Sequence, residues 1–206
     1  LTFGFVPTAK QMARLLDCSI LSKEYMAVKA LLHLLDDDPE REGLRETPRR
    51  FIDAMLEATA GRRMDPASIL KVFEDGAEGV DQMVTVASIP LWSLCEHHLA
   101  PFHGVAHVSY IPKGKVVGLS KLARLVECYA KRLQVQERLT EQVATALETH
   151  LECRGVGVMV QARHLCMESR GVRAHGAVTV TTSLRGSMKR DARARSEFLD
   201  MCRSHS

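Results

Sequence analysis

Two short clusters constrain this chain more than any other feature: Cys95-Glu96-His97-His98 and, far downstream, His164-Leu165-Cys166. Together they hold two thiols and three imidazoles, the ligand types that zinc prefers. A structural zinc takes four protein ligands, whereas a catalytic zinc keeps a position open for water. Cys95, His98 and Cys166 offer a three-ligand set, with His97 and His164 beside it as proton carriers. The pattern points to metal-assisted hydrolysis rather than a structural clip, and it requires a fold that brings two distant segments to one point.

The spacing sets local conditions. On a strand, Cys95 and His98 face opposite ways, so the backbone must turn or bulge between them before both can reach one metal. Pro101 follows closely and suits a strand that ends or breaks there. His164 and Cys166 are two apart, so on a strand they share a face, and a metal at Cys166 brings His164 to the same side.

The 206 residues suffice for one domain of moderate size, or one with a small appendage, and 46% apolar content is ample for a core. A formal net charge of +3 is too small to argue for nucleic-acid binding. The sequence contains no apolar run long enough to span a bilayer and opens on no signal-peptide pattern. The six cysteines (Cys18, Cys95, Cys128, Cys153, Cys166 and Cys202) are scattered rather than arranged as a disulfide framework. Reduced thiols and a cytoplasmic setting are expected.

The first third, residues 1–80, reads as a helical region. Ser22 caps a helix through Tyr25, Met26, Val28, Leu31, Leu32 and Leu35, ended by Asp36-Asp37-Asp38-Pro39. Thr47-Pro48 opens a second helix with proline at its first position. Phe51, Ile52, Met55 and Leu56 form its buried face, and Gly61 stops it. Residues 81–206 read as a second domain. Strands are expected from Val84 toward Cys95, over Val105–Tyr110, from Gly155 toward Cys166, and over Val178–Leu184. Helices open at Ser120 and near Gln136, and a short one covers about Arg193 to Cys202. Strand, strand, helix, helix, strand, strand implies an α+β fold, with helices on one face of an antiparallel sheet.

Two further segments carry candidate chemistry. Gly118-Leu119-Ser120-Lys121 begins a helix and places Lys121 and Arg124 in its first turns. Cations there oppose the helix dipole, while the exposed amides attract anions, so a bound phosphate satisfies both. Two solvated surface cations are the plain alternative. Arg170 is a further candidate, and Arg50 could join it, although nothing local requires that. Gln136-Glu137 sits where a helix begins. Dipole complementarity accounts for a glutamate there; a carboxylate can equally accept the ring N–H and exocyclic amine of guanine.

With these pieces in place, the chain closely resembles the GTP cyclohydrolase I family. The resemblance rests on Cys95-Glu96-His97-His98, on Gly118 through Arg124, on Arg132-Leu133-Gln134-Val135-Gln136-Glu137-Arg138-Leu139-Thr140, on His164-Leu165-Cys166-Met167 and on Arg170-Gly171-Val172. A looser match lies at Glu46-Thr47-Pro48-Arg49-Arg50. It implies the tunnelling fold, a four-stranded antiparallel sheet carrying two helices on one face, here preceded by the helical N-terminal region. It also implies a homodecamer with active sites at subunit interfaces, no nucleic-acid or membrane partner, and a cytoplasmic enzyme at the first step of pterin and folate biosynthesis.

The implied reaction converts GTP and water to 7,8-dihydroneopterin triphosphate and formate. Zinc held by Cys95, His98 and Cys166 activates water for attack at guanine C8. A protonated His164 near N7 helps open the imidazole ring, and His97 assists opening of the ribose. By the same resemblance Gln136 and Glu137 hold the guanine edge, Ser120 lies near the reacting sugar, and Lys121, Arg124, Arg170 and Arg50 hold the triphosphate. Two departures stand out. Glu168 replaces an expected apolar or basic residue, leaving its charge to face solvent or perturb the triphosphate end. Ala174-His175-Gly176-Ala177 is unusual before the threonine-rich strand. A zinc deaminase is disfavoured because the chain has no Cys-x-x-Cys. A non-catalytic nucleotide-binding module is disfavoured by the retained His97 and His164. A nitrile reductase of the tunnelling fold would not need the zinc trio.

Overall fold

The computed structural model describes residues 18–74, 77 and 79–205, with side chains from residue 22 onward. The chain divides between Ala60 and Gly61 into two compact units. This boundary corrects the expected one at residue 80. The second unit begins at Gly61, whose N–H donates to the Lys131 carbonyl at 2.9 Å, and it holds β1 (Val72–Phe73), which pairs with β4 (Val116–Val117).

In the N-terminal unit, α1 (Cys18–Leu35) packs with α2 (Thr47–Ala58). Helix α1 starts before Ser22, which lies inside it rather than at its cap. The reason is legible in the spacing: Leu21 precedes Tyr25 by one helical repeat, so the periodic pattern extends upstream. Proline does stand at the start of α2, while Phe51 is exposed and Ile52 is the buried residue of the expected face.

The second unit is built on one sheet of order β5-β2-β3-β6-β7. Strands β2 (Val84–Cys95), β3 (Pro101–Ile111), β6 (Gly155–His164) and β7 (Thr179–Arg185) run antiparallel to their neighbours. The expected four strands thus gain a fifth: β5 (Leu133–Gln134) lies parallel to the end of β2, with Gln134 opposite Cys95. Strand β2 is longer than the run of branched residues suggests, and a bulge between Val86 and Ile89 bends it. Ser88, at φ 53°, carries that bend.

Helix α3 (Pro66–Ile69) precedes β1. Helices α4 (Leu119–Ala130) and α5 (Gln136–Leu151) cover one face of the sheet. The seam of α5 is the four-residue repeat Leu139, Val143, Leu147 and Leu151, each at most 1% exposed. Each leucine so buried contributes roughly 1.5–3 kcal/mol relative to exposure. Val156, Val158, Val160 and Ala162 of β6 meet this layer, as alternation demands.

The other face is not bare, which corrects the expectation of helices on one side only. After the one-turn helix α6 (Leu165–Glu168), helices α7 (Gly186–Arg190) and α8 (Ala192–Arg203) bring Met188, Phe198 and Cys202 against Met159. Gly157 makes this possible: a Cβ there would stand 2.8 Å from Met188 Sδ and 3.1 Å from the Phe198 ring. On the same face His107 is fully buried. Its Nδ1 accepts the Ser88 N–H at 3.4 Å, and among the described residues its Nε2 has no partner.

Burial, helped by nearby His205, holds His107 below its ordinary pKa of 6.5. The folded state therefore favours neutral His107, while the unfolded chain takes up a proton below about pH 6.5. The stability contributed by this group is complete above that pH and declines as pH falls toward the folded pKa. Thermal denaturation between pH 7.5 and 5 should show a falling transition temperature, with a shallower fall in His107→Gln; equal slopes would remove His107 from the account.

Candidate metal and active site

The hairpin between β2 and β3 satisfies the turn that the Cys95–His98 spacing demanded. The Cys95 N–H donates to the Ala100 carbonyl at 2.9 Å, and the Leu99 N–H returns to the Cys95 carbonyl at 2.8 Å. Leu99 adopts φ 51°, the left-handed conformation that closes so short a turn. Strand β5 fixes the turn from outside, because the Glu96 N–H donates to the Gln134 carbonyl at 3.0 Å. Glu96 also pairs with Arg138. The result sets Cys95 Sγ 3.9 Å from Nδ1 of both His97 and His98.

Cys166 arrives by a different route from the one its spacing suggested. Strand β6 ends at His164, and Cys166 lies within helix α6. The expectation of a shared strand face is therefore corrected: a helical turn, not strand alternation, relates His164 to Cys166. Ligand atoms of Cys95, His98 and Cys166 all lie within 4.8 Å of one another. Ligands of a tetrahedral zinc with bonds of about 2.0–2.3 Å stand roughly 3.3–3.8 Å apart, so the triad is near that size.

Electrostatics agree. Burial, then the adjacent Cys95 sulfur, pushes the Cys166 thiol above its ordinary value, while Arg170 acts the other way. Two sulfurs in one place resist ionisation together; a cation between them reverses that resistance.

His164 is held from two sides. Its ring stacks on Phe102 with centroids 4.6 Å apart and planes 6° from parallel. The two residues are cross-strand partners. Its Nε2 lies 2.7 Å from Gln136 Oε1. Burial lowers the His164 pKa, and Glu137 opposes that shift.

Gln136 departs from the expectation of a purine-edge contact. It is 1% exposed, and its amide is used inside the protein. Nε2 donates toward the Val160 carbonyl at 3.1 Å, the Thr179 carbonyl at 3.0 Å and Thr181 Oγ1 at 3.1 Å. The donor end is thereby fixed against β6 and β7, so the acceptor end faces His164. Phe102 and Thr181 were not singled out in the sequence; strand register was the missing signal.

The remaining residues separate into groups. Glu137 is exposed on the first turn of α5. Ser120 and Arg124 are exposed and Lys121 half-buried at the start of α4, and no recorded contact among the described residues joins them to the Cys95 group. Arg170 is exposed just beyond α6, close enough to act on Cys166. Arg50 is exposed on α2, in the other unit. Glu168, whose charge was expected to face solvent or perturb the triphosphate end, does not face solvent. It is buried and accepts from Arg163 Nε at 2.8 Å and Nη2 at 2.6 Å.

A ligand group short of four, beside a histidine fixed in place, is the equipment of a metal-assisted hydrolase. Comparison with known proteins makes that class specific. The family profile of GTP cyclohydrolase I matches residues 25–203, and the chain belongs to that enzyme family. It is 54% identical to GTP cyclohydrolase 1 of Nitrosospira multiformis over 175 residues, covering 85% of this chain and 92% of the relative. It is 55% identical over 177 residues to GTP cyclohydrolase 1 of Mycobacteroides abscessus, covering 85% and 86%. A solved structure, the archaeosine synthase QueF-Like in the apo form, aligns with a TM-score of 0.40 at 17% identity, covering 53% of this chain and 96% of that one. A likeness of that degree carries no argument. No helix among the described residues is long and apolar enough to cross a membrane.

Gln136→Leu keeps the bulk and removes every amide contact in one change. It should cost about 2–4 kcal/mol in urea unfolding, since buried carbonyls lose their donor. An unchanged midpoint would show that the amide contributes nothing to the sheet.

Proposed function

We propose that this protein is a zinc-dependent GTP cyclohydrolase I that converts GTP and water to 7,8-dihydroneopterin triphosphate and formate, the first step of pterin and folate biosynthesis. The observation that carries the reading is the convergence of Cys95, His98 and Cys166 within 4.8 Å, with His97 against Cys95 and His164, two residues from Cys166, held by Gln136 and Phe102. Two thiolates and one imidazole suit zinc and leave a position open. Zinc bound there supplies Lewis acidity toward water and substrate oxygen.

The chain's own residues supply the rest. His164 has its Nε2 committed to Gln136, so Nδ1 is the atom that can hold or pass a proton at guanine N7. His97 stands beside the trio through Cys95 and serves the ribose ring oxygen. Glu137 accepts from the guanine N–H edge, while Gln136 acts through the imidazole it holds rather than on the base. Ser120 approaches the sugar. Lys121, Arg124, Arg170 and Arg50 bind the triphosphate, and among the described residues none of these four cations is in an ion pair.

We also assign the tunnelling fold and a homodecamer with interfacial sites. The exposure of Ser120 and Arg124 supports completion of the site by a neighbouring subunit.

The test pairs zinc content with GTP turnover, following formate and the oxidised, fluorescent pterin. Stoichiometric zinc with both products is the expected result. Cys166→Ser should lose zinc and turnover together, whereas His164→Ala should keep zinc and lose about 10²–10⁴-fold in turnover. Zinc with bound GTP but no formate would leave a binding module in place of an enzyme. Full turnover in metal-free Cys166→Ser would remove the metal from the reaction.

A further inference from the structure

Residues 169–178 form a loop between α6 and β7 that carries Arg170. Every residue in it except Ala174 is exposed, Val172 at 73% and Val178 at 54%. Gly171, Arg173 and Gly176 all have positive φ, and short-range backbone bonds such as Ala174 N–H to the Met167 carbonyl, at 3.0 Å, shape it. Apolar packing within the chain therefore does little to fix this loop.

The buried polar contact next to it is Glu168, whose side chain is 8% exposed. Its carboxylate takes both hydrogen bonds of the Arg163 fork, at 2.8 and 2.6 Å. Gly176 and His175, toward the far end of the loop, also lie near enough to favour its charged form. Arg163 is rooted in β6, opposite His103 of β3. One carboxylate thus fastens the start of an exposed loop to the sheet and faces residues near the loop's far end. Bidentate arginine–carboxylate pairs fix geometry as well as contributing energy.

We infer that Glu168 and Arg163 form a clamp that positions Arg170 against the substrate triphosphate. The inference rests on the phosphate-binding role of Arg170 proposed above. Neither clamp residue need touch substrate; both are positioning residues.

The sign of the Glu168→Gln effect separates the clamp from simple charge. Removing a negative charge near a polyanion site strengthens polyanion binding through space. Loss of the clamp weakens it. Steady-state kinetics on the zinc-loaded enzyme, with inorganic tripolyphosphate as competing inhibitor, reads the difference. Glu168→Gln and Arg163→Gln should each raise the KM for GTP and the inhibition constant of tripolyphosphate by roughly three- to tenfold. Zinc content should be unchanged and kcat should stay within about twofold. The double variant should be no worse than either single one, the mark of a shared interaction. Arg163→Lys, which keeps the charge but not the fork, should fall between.

Tighter tripolyphosphate binding in Glu168→Gln, or no change, would overturn the clamp, as would a fall in kcat with KM unmoved or a loss of zinc. Arg170→Ala separates the two levels. If it leaves the tripolyphosphate constant unchanged, the phosphate role of Arg170 itself fails. If it raises that constant while Glu168→Gln does not, only the clamp fails.

Discussion

The site depends on the way one short segment, residues 133–136, is fastened to the sheet. Gln134 receives the Glu96 N–H and so braces the turn that presents Cys95 and His98. Two residues on, Gln136 drives its amide between β6 and β7 and meets His164. The same stretch ends β5 and begins α5. A strand-to-helix junction therefore sets both halves of a site whose chemistry comes from elsewhere. Gln136 is itself buried, and leaving a buried polar group unpaired costs roughly 1–3 kcal/mol. That penalty fixes the amide in one orientation.

Much of the fold was legible because apolar periodicity is strong in α5 and in the strands. The four-residue repeat from Leu139 to Leu151 announces a buried helix, and it is one. What escaped was set by pairing rather than pattern. Strand β5 is two residues long and owes its existence to the end of β2. The second face of the sheet is covered because Gly157 admits Phe198, and no local signal reports that contact. In the site, residue types and spacing exposed the ligand trio. The turn between Cys95 and His98 followed from strand parity. The helical route to Cys166 did not, because a helix of four residues carries no periodicity of its own and the strand pattern runs straight into it. The internal contacts of Gln136 and Glu168 were not legible, for one reason. Each is polar, and a sequence does not say whether a polar group serves a ligand or a neighbour.

The charges divide by the same criterion. Arg138, Arg163 and Arg185 are paired with Glu96, Glu168 and Glu141, and they organise the protein. Arg124, Arg170 and Arg50 are exposed and Lys121 is half-buried, and among the described residues none of the four is in an ion pair. Exposed cations of this kind give little stability, so their value lies in what they can attract.

The bulge in β2 acts as a parity shift. Val84 and Val86 face the α4–α5 layer, as do Ile89, Leu91 and Cys95, although an odd step separates the two sets. An uninterrupted strand could not do this. Were β2 regular through Ser88 with every residue kept, one end of it would exchange its faces, so either the valines would leave the core or Cys95 would turn away from Cys166. The left-handed backbone at one residue, remote from Cys95 along the strand, thus keeps the two clusters of the chain pointing toward each other.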